Sequence, residues 1–397
     1  MRVSNLALTD YRSYKKVVVE FPAGTVVLLG PNGRGKTNMV ESIAYLSTFS
    51  SHRSHSIGNL VRVAREGQTQ PGGAVIRARV EAGGRTHSID LEIARGRPNR
   101  ARLNRAKVAP RDVLGTLRTV VFAPEDLGLL RGGPEERRTF LDQIVLKLKP
   151  HHLSTLQNFG RVSRQRAAQL KTMMRADPAF GAEMMAIWDD QLAELSATIA
   201  VHRLAVVEAL QPLVRQAYRD LTRGDREAEI EYSSNVEVEA DLGDFRVEDG
   251  RMTGDPSAAI EVLRQAYLEQ MDSRRGQEMA RGINLVGAHR DDLLVTLDRL
   301  PVRGFASHGE LWSSALMLRL AEMELLKLDG DYPVLILDDV FAELDVSRRD
   351  GLLRCMDRAE QVFITAAAET DIPSEIEART LLVSRDDQGL SQVSDSE

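Results

Sequence analysis

The segment at residues 30–37, GPNGRGKT, constrains this chain more than any other feature of its sequence. It fits the pattern G-x-x-x-x-G-K-[ST], in which glycines let successive backbone N–H groups turn inward around a phosphate. A nearly all-apolar run precedes it at 25–29, and apolar residues at helical spacing follow it at 36–48. This strand–loop–helix order predicts a phosphate cradle at the N-terminal end of a helix. The predicted ATP-binding residues of the loop are Gly30, Pro31, Asn32, Gly33, Arg34, Gly35, Lys36 and Thr37.

Two aspartates far along the chain complete the predicted site. The run at 332–337 indicates a buried strand, and it ends in Asp338 and Asp339. Asp338 can hold Mg²⁺ together with the hydroxyl of Thr37, while Lys36 reaches the outer phosphates. Asp339 can orient or deprotonate the attacking water, so it is the predicted catalytic residue. Two acids after a strand are by themselves more typical of a turn or helix cap, but a phosphate loop in the same chain favours the metal-site interpretation.

A third segment, ASHGE at 306–310, leads into a stretch with helical spacing. A Ser-x-Gly at a helix start can direct a hydroxyl and backbone N–H groups toward an anion. The alternative is an ordinary helix N-cap with nothing bound. This segment alone favours the N-cap.

Strand and helix patterns divide the chain into four parts. Residues 74–120 alternate strand and turn signals, which indicates an antiparallel β region. Helical spacing dominates 134–280, where Pro212 is expected to kink or end one helix. The predicted organisation is an ATPase head formed by 1–133 and 281–385, an inserted helical arm at 134–280, and a disordered tail at 386–397.

Composition limits the remaining function classes. The one cysteine, Cys355, excludes an internal disulfide framework and indicates a reducing, cytoplasmic setting. No uninterrupted apolar run approaches the roughly 18 residues that span a bilayer, so no membrane partner is expected. The net charge of -6 argues against nucleic-acid binding by the surface as a whole, yet residues 95–118 contain eight basic side chains and one acidic one. This stretch is either a DNA-binding surface or a solvated hairpin, and charge alone favours neither.

The order and spacing of the three segments resemble one known family. Further matching segments are DYRSY at 10–14, VFAPEDL at 121–127, GGPEERRTFLD at 132–142, GAHRDDL at 287–293 and DDVFAELD at 338–345. On these residues the chain resembles the RecF family, within the structural-maintenance (SMC) class of ABC-type ATPases. The resemblance covers nearly the whole chain. It implies an α/β fold, with an ABC-type P-loop ATPase head, an antiparallel β subdomain and an inserted helical arm.

The resemblance also implies a mechanism in which two subunits meet head to tail around two ATP molecules. Ser307 and Gly309, followed by Glu310, match the signature motif that touches the γ-phosphate bound on the other subunit. Asp345 matches a loop that crosses the dimer interface. The residues that match positions beside the nucleotide are Arg12 and Asn38, which trails the phosphate loop.

By the same resemblance, ATP acts as a clamp that joins the heads around DNA until hydrolysis releases it. The implied cofactors are ATP and Mg²⁺. The implied partners are single-stranded, gapped or junction DNA, a second copy of the chain, and recombination mediator proteins that help to load recombinase. The implied role is ATP-dependent DNA binding in replication, recombinational repair and the SOS response to DNA damage, with weak DNA-dependent ATPase activity.

The chain departs from the pattern of ABC-type ATPases at several positions. His308 stands where the signature usually has the first of two glycines, and Glu310 stands where glutamine is common. Asp339 replaces the glutamate of many ABC ATPases, and its side chain is one methylene shorter, which predicts slow hydrolysis suited to a timer. The Q-loop glutamine has no assigned match, with Glu125 or Asp126 nearby. Two alternatives stay open: the ATPase subunit of a membrane transporter, and a nucleotide-gated scaffold without turnover.

Overall fold

The computed structural model describes residues 1–51, 53, 56–64, 69–173, 178–222, 226–237 and 240–395. The chain divides into two compact units. The first comprises Met1–Leu127, Ala217–Asp225 and His308–Glu397, and the second comprises Gly128–Gln216 and Arg226–Ser307.

The strands are β1 (Arg2–Tyr11), β2 (Tyr14–Glu20), β3 (Gly24–Leu29), β4 (Gly73–Ala82), β5 (Arg85–Ala94), β6 (Arg100–Leu103), β7 (Ala106–Val108), β8 (Thr119–Phe122), β9 (Ala228–Ser233), β10 (Arg246–Glu248), β11 (Arg251–Thr253), β12 (Asp292–Leu297), β13 (Leu300–Pro301), β14 (Val334–Asp338), β15 (Gln361–Ala366), β16 (Ala378–Arg385) and β17 (Ser391–Asp395). The helices are α1 (Lys36–Thr48), α2 (Leu127–Arg131), α3 (Pro134–Leu148), α4 (His152–Met173), α5 (Pro178–Thr222), α6 (Ser257–Arg281), α7 (Val302–Phe305), α8 (His308–Leu325) and α9 (Val346–Met356).

The first unit is built on a largely parallel sheet with the order β17-β16-β3-β15-β14-β8. Every residue of β14 and β15 is buried, as expected for parallel strands that are covered on both faces. The strands β3, β15 and β14 run parallel and are neighbours in that order, so their carboxyl ends lie along one edge. This arrangement brings the phosphate loop after β3 to the same edge as the aspartates at the end of β14.

An antiparallel sheet with the order β2-β1-β4-β5-β6-β7 forms the other layer of the first unit. Strands β4 to β7 confirm the antiparallel region predicted at 74–120 as far as Val108, whereas β8, which begins at Thr119, pairs parallel with β14. Along β4, Ile76 and Val80 are buried whereas Arg77 and Arg79 are exposed, because successive side chains of a strand point to opposite faces. The buried face joins one hydrophobic core with the apolar residues of β3, α1 and β14.

The second unit contains α3 to α6, the sheet β13-β12-β9 and the hairpin β10-β11. The second unit reaches beyond the predicted arm at 134–280, because β12 pairs with β9 and so keeps residues up to Ser307 in this unit. Residues 217–225 of the predicted arm belong to the first unit. Pro212, which was expected to kink or end the helix, does not end it, since α5 continues through it. Tertiary contacts hold the helix there: Leu210 and Val214 are buried, and Gln211 accepts a hydrogen bond from the Ile230 backbone.

A stretch of α5, Met185–Thr222, is long and apolar enough by length and composition to cross a membrane. Of its most apolar window, 61% is buried inside the protein, which is the pattern of a core helix.

The predicted disorder of 386–397 was wrong as far as residue 395. Strand β17 pairs antiparallel with β16, and Val393 lies opposite Val383 and packs on the hydrophobic core. Ser391 is 3% exposed. The segment is ordered by this ladder and by polar contacts, neither of which its low apolar content indicates. Residues 396–397 lie outside the described residues.

Candidate nucleotide-binding site

The phosphate loop has a backbone that requires glycine. Gly33 and Gly35 have φ angles of 76° and 117°, which side-chain-bearing residues rarely adopt. At Gly35, a Cβ atom would also overlap the hydroxyl of Ser391. Pro31, Asn32, Gly33 and Arg34 are exposed, so this part of the loop is open to a ligand.

Lys36 is held inside the loop. Its side chain is 3% exposed, and its Nζ donates to the Gly30 carbonyl at 2.7 Å and to Asn32 Oδ1 at 3.1 Å. Both acceptors are neutral oxygens, so the lysine charge is directed into the cradle without being neutralised by them. Phosphate oxygens, which are anionic acceptors, form stronger hydrogen bonds with an ammonium group than these do.

The structure brings Thr37 and Asp338 together across 301 positions of sequence. Thr37 Oγ1 donates to Asp338 Oδ1 at 2.9 Å, and Thr365 Oγ1 donates to the same oxygen at 2.6 Å. The Asp338 carboxylate is buried and is held by these two hydroxyls. Carboxylate and hydroxyl oxygens are the ligands that Mg²⁺ prefers, and one buried acid beside the loop suits an ion shared with phosphates. Thr37 and Asp338 therefore fit the predicted metal site.

Asp339 lies next to this cluster in a strained backbone conformation, with φ 52°. Its N–H donates to Thr365 Oγ1 at 2.9 Å, and its Oδ1 lies 3.3 Å from the same hydroxyl. Burial raises the pKa of Asp339, with a further contribution from Asp338, while Lys36 opposes the shift. A raised pKa makes this carboxylate a better proton acceptor than an ordinary aspartate, as the predicted catalytic role requires.

Thr365 is a site residue that the sequence did not reveal. It lies on β15, directly opposite Asp338 in the parallel ladder, and its hydroxyl contacts both aspartates. That β15 is the neighbour of β14 is a property of the sheet order, and no local pattern in the sequence encodes it.

The two other predicted nucleotide residues line a cavity of about 400 Å³ beside the loop. Asn38 Nδ2 donates to Ser13 Oγ at 2.8 Å. Arg12 forms a double hydrogen bond with the buried Glu41 carboxylate, at 2.8 and 2.5 Å, and donates to the Asn59 carbonyl at 3.0 Å. Arg12 is thus fixed at the cavity wall by a residue of α1.

Among the predicted signature residues, Ser307 is exposed and immediately precedes α8, and Glu310 is half-buried in its first turn. Gly309 packs against Arg348, whose Nη2 would lie 2.9 Å from a Cβ at that position. Arg348 Nε donates to Ser313 Oγ at 2.8 Å, and its guanidinium pairs with Asp345. Asp345 caps α9 by accepting from the Arg348 N–H. Arg348 therefore joins the predicted signature helix to the predicted dimer loop, a connection that sequence reasoning missed.

The acids near the unassigned Q-loop have different surroundings. Asp126 is buried, accepts a hydrogen bond from the Ala123 backbone at 3.0 Å and pairs with Arg319 at 2.6 Å. Its contacts are those of a structural residue. Glu125 is exposed.

The basic stretch at 95–118 is only partly a surface. Arg118 is buried and donates to the Leu326 carbonyl at 2.9 Å, so it faces the interior. Arg100, Arg102 and Lys107 are exposed on the outer face of the antiparallel sheet and line a cavity of about 700 Å³. The register places Asp90 between Arg77 and Arg102, so acids alternate with the bases on this face.

Comparison with known proteins gives a consistent picture. The family model described as RecF/RecN/SMC N terminal domain matches residues 2–391. The chain is 43% identical over 378 residues to the DNA replication and repair protein RecF of Streptomyces avermitilis, covering 94% of this chain and 95% of that one. It is 45% identical over 381 residues to the protein of the same name from Frankia alni, covering 95% and 96%.

Solved structures share the fold. The structure of the recombination mediator protein RecF-ATP in the RecFOR pathway has a TM-score of 0.82 at 24% identity, covering 99% of this chain and 97% of that one. An Smc head domain from Pyrococcus furiosus, bound to the C-terminal domain of ScpA, has a TM-score of 0.53 at 14% identity, covering 100% and 96%. These likenesses confirm the predicted fold, which is that of an ABC-type ATPase head.

Proposed function

Because this chain belongs to the RecF family of SMC-class ATPases, we propose that it is an ATP-dependent DNA-binding protein of DNA replication and recombinational repair. The observation that supports this most directly is the 2.9 Å contact between Thr37 and Asp338, which joins the phosphate loop to a buried acid. The solved structure of RecF with ATP supports ATP as the nucleotide.

Different residues of the chain bind different parts of the nucleotide. The backbone N–H groups of the loop and the Lys36 ammonium bind the phosphates, while the cavity beside Asn38 and Arg12 receives the nucleoside. Thr37 and Asp338 hold Mg²⁺, which when bound neutralises charge on the outer phosphates. Asp339 orients the attacking water and accepts its proton. The aspartate is shorter than the glutamate of many relatives in the wider class, so we expect slow hydrolysis.

ATP binding is proposed to join two copies of the chain head to tail. Ser307, Gly309 and Glu310 of one copy then meet the γ-phosphate held by the other, with Asp345 crossing the interface. The dimer holds single-stranded, gapped or junction DNA, and hydrolysis releases it. Recombination mediator proteins of the same pathway are the proposed protein partners, and recombinase loading is the outcome.

The first test is ATP-dependent dimerisation. Size-exclusion chromatography with light scattering is run with ATP, with ADP and without nucleotide. We expect a dimer with ATP alone, and a monomer under all conditions for Lys36→Ala. A chain that remains monomeric with ATP, although it binds the nucleotide, contradicts the clamp.

DNA binding is tested by gel shift on gapped, single-stranded and duplex DNA in each nucleotide state. The outer face of the antiparallel sheet is the proposed contact surface, through Arg100, Arg102 and Lys107. Reversing these charges is expected to weaken binding and to reduce its salt dependence, since each lost phosphate contact lowers the slope by about one. An unchanged affinity and slope favour the solvated hairpin.

Phosphate release separates the remaining alternatives. Release that DNA stimulates supports the proposal, whereas ATP binding and dimerisation without any release support a scaffold. The match to RecF relatives over nearly the full chain disfavours the transporter subunit.

A further inference from the structure

The C-terminal hairpin of β16 and β17 contacts the phosphate loop through one buried side chain. The hydroxyl of Ser391 donates to the Arg34 carbonyl, in the middle of the loop. The Ser391 backbone N–H donates to the Ser13 carbonyl at 3.0 Å, which fixes the position of that hydroxyl. The neighbouring Gly35 lies so close to Ser391 that any side chain there would collide with it. The hairpin and the loop are therefore in direct contact.

The hydrogen bonds around Ser391 form a directed chain. A serine hydroxyl has one hydrogen, and a carbonyl can only accept, so Ser391 donates to Arg34. The 2.7 Å contact between the Ser391 and Ser13 hydroxyls then has Ser13 as the donor. Ser13 in turn accepts from Asn38 Nδ2 at 2.8 Å. This series of hydrogen bonds runs from Asn38, which follows the loop, back to the Arg34 carbonyl within the loop. Each hydrogen bond polarises the next.

These contacts determine which way the peptide groups of the loop point. In a trans peptide, the C=O and N–H groups point in opposite directions. Because Ser391 holds the Arg34 carbonyl toward the hairpin, the N–H of Gly35 points away from it. Tyr14 has the same effect one residue later, since its hydroxyl donates to the Gly35 carbonyl at 3.1 Å and so directs the N–H of Lys36. Burial raises the pKa of Tyr14, so the phenol keeps the proton that it donates.

The turn of the same hairpin adds to the nucleotide cavity. Gln388, Gly389 and Leu390 line the space of about 400 Å³ whose other walls include Arg12 and Asn38. One hairpin thus contacts the phosphate loop and also borders the space next to it.

We propose that Ser391 is a positioning residue for ATP, which holds the phosphate loop with its N–H groups directed at the phosphates before the nucleotide arrives. The inference rests on the proposed function, because it requires ATP in this loop. Without the Ser391 hydroxyl, the empty loop samples more conformations, and binding must first select the competent one. The apparent affinity for ATP then falls in proportion to the fraction of molecules whose loop has the binding-competent conformation.

The test compares ATP affinity in full-length variants by titration with a fluorescent ATP analogue and Mg²⁺. Ser391→Ala is expected to raise Kd about 3- to 10-fold, which corresponds to the loss of one or two ordinary hydrogen bonds. Ser391→Thr keeps the hydroxyl and is expected to stay near the wild-type Kd. Ser13→Ala interrupts the same chain from a half-buried position, and it is used if Ser391→Ala does not fold. The double variant is expected to lose less than the product of the two single effects, since both remove one chain of bonds.

Two variants of the same strand serve as controls. Ser394→Ala makes the same substitution at an exposed position and is expected to change nothing. Val393→Ala loosens the packing of β17 on the core without touching the loop, so it lowers the melting temperature but not the ATP affinity. A wild-type Kd for Ser391→Ala, or an equal loss of affinity for Val393→Ala, overturns the inference.

ATP binding by the wild-type chain and by Lys36→Ala tests the proposed function separately from the role of Ser391. If the wild-type chain binds no ATP, or Lys36→Ala binds it normally, the proposed function fails. If both behave as expected and Ser391→Ala still binds like wild type, only the role of Ser391 is lost.

Discussion

Replacing Thr365 with valine tests the hydrogen-bonded cluster that joins the two aspartates. Valine keeps nearly the shape of threonine but carries a methyl group in place of the hydroxyl. That hydroxyl donates to Asp338 at 2.6 Å, and a hydrogen bond to a charged group contributes about 1.5–3 kcal/mol. It also accepts from the Asp339 N–H at 2.9 Å, and leaving that donor without its partner costs about 1–3 kcal/mol. Because the two effects share one group and are not additive, we expect a total loss of about 2–4 kcal/mol in unfolding free energy.

The assay needs a probe of the first unit alone. The chain has two tryptophans, with Trp312 on α8 in the first unit and Trp188 on α5 in the second. In a Trp188→Phe background, urea unfolding followed by tryptophan fluorescence therefore reports the first unit. The control is Thr119→Val, at a buried threonine of β8 whose hydroxyl makes none of these contacts.

Thr365→Val is also expected to weaken MgATP binding about tenfold, because Asp338 loses one of the two hydroxyls that orient it. The expected signature is a lower urea midpoint with an unchanged slope, together with the loss of affinity. If Thr365→Val matches Thr119→Val within about 0.5 kcal/mol and binds MgATP normally, the cluster does not hold the site together.

Three further perturbations follow from other parts of the structure. Asp339→Asn is expected to slow hydrolysis about 10²- to 10⁴-fold while leaving ATP-dependent dimerisation intact, and phosphate release checks this. Since the pKa of Asp339 is raised in the folded protein, its negative charge opposes folding at neutral pH. Asp339→Asn should therefore have a higher melting temperature than wild type at pH 7. This difference in melting temperature should disappear as the pH falls toward 3.8. In the second unit, burial, aided by His152 and Lys149, lowers the pKa of His202 to about 3. The unfolded chain takes up that proton near pH 6.5, so the free energy of unfolding should fall below that pH by about 1.4 kcal/mol per pH unit. Urea unfolding at pH 7.5 and 5.0 in a Trp312→Phe background should show this loss. His202→Gln should reduce it. Arg348→Ala is expected to weaken ATP-driven dimerisation about tenfold while ATP binding by the monomer stays normal, because Gly309 and Asp345 lose their common contact. Light scattering compares this variant with the control Arg354→Ala on the same helix. Equal dimerisation of the two variants would contradict the role of Arg348.

The parts of the site that the sequence predicted are those encoded in short segments. The phosphate loop is recognisable because glycines, Lys36 and Thr37 must occur at fixed spacing between a buried strand and a helix. Asp338 and Asp339 are recognisable because they end an all-apolar run. In each case the function requires particular residues within about ten positions, so the pattern can be recognised in the sequence alone.

The parts that were missed depend on which elements become neighbours. Thr365 acquires its role from the pairing of β15 with β14, and Ser391 from the return of β17 to the phosphate loop. Both are single hydroxyl residues without a motif around them. The tail was predicted to be disordered for the same reason, since its ladder partner lies on β16 and its polar contacts lie near residues 13 and 34. Pro212 illustrates the converse case, in which buried neighbours outweigh a strong local preference.

The position of β3 in its sheet has a consequence for how the protein is made. Both strands that pair with β3 come from beyond residue 360. During synthesis, the loop that follows β3 leaves the ribosome before β15 and β16, so β3 lacks both neighbouring strands until these have been made. Because the acid that meets Thr37 also arrives late, a nascent chain cannot form the site, and a product of premature termination before β15 cannot form it either. ATP binding is therefore expected only after the residues through β16 have been made.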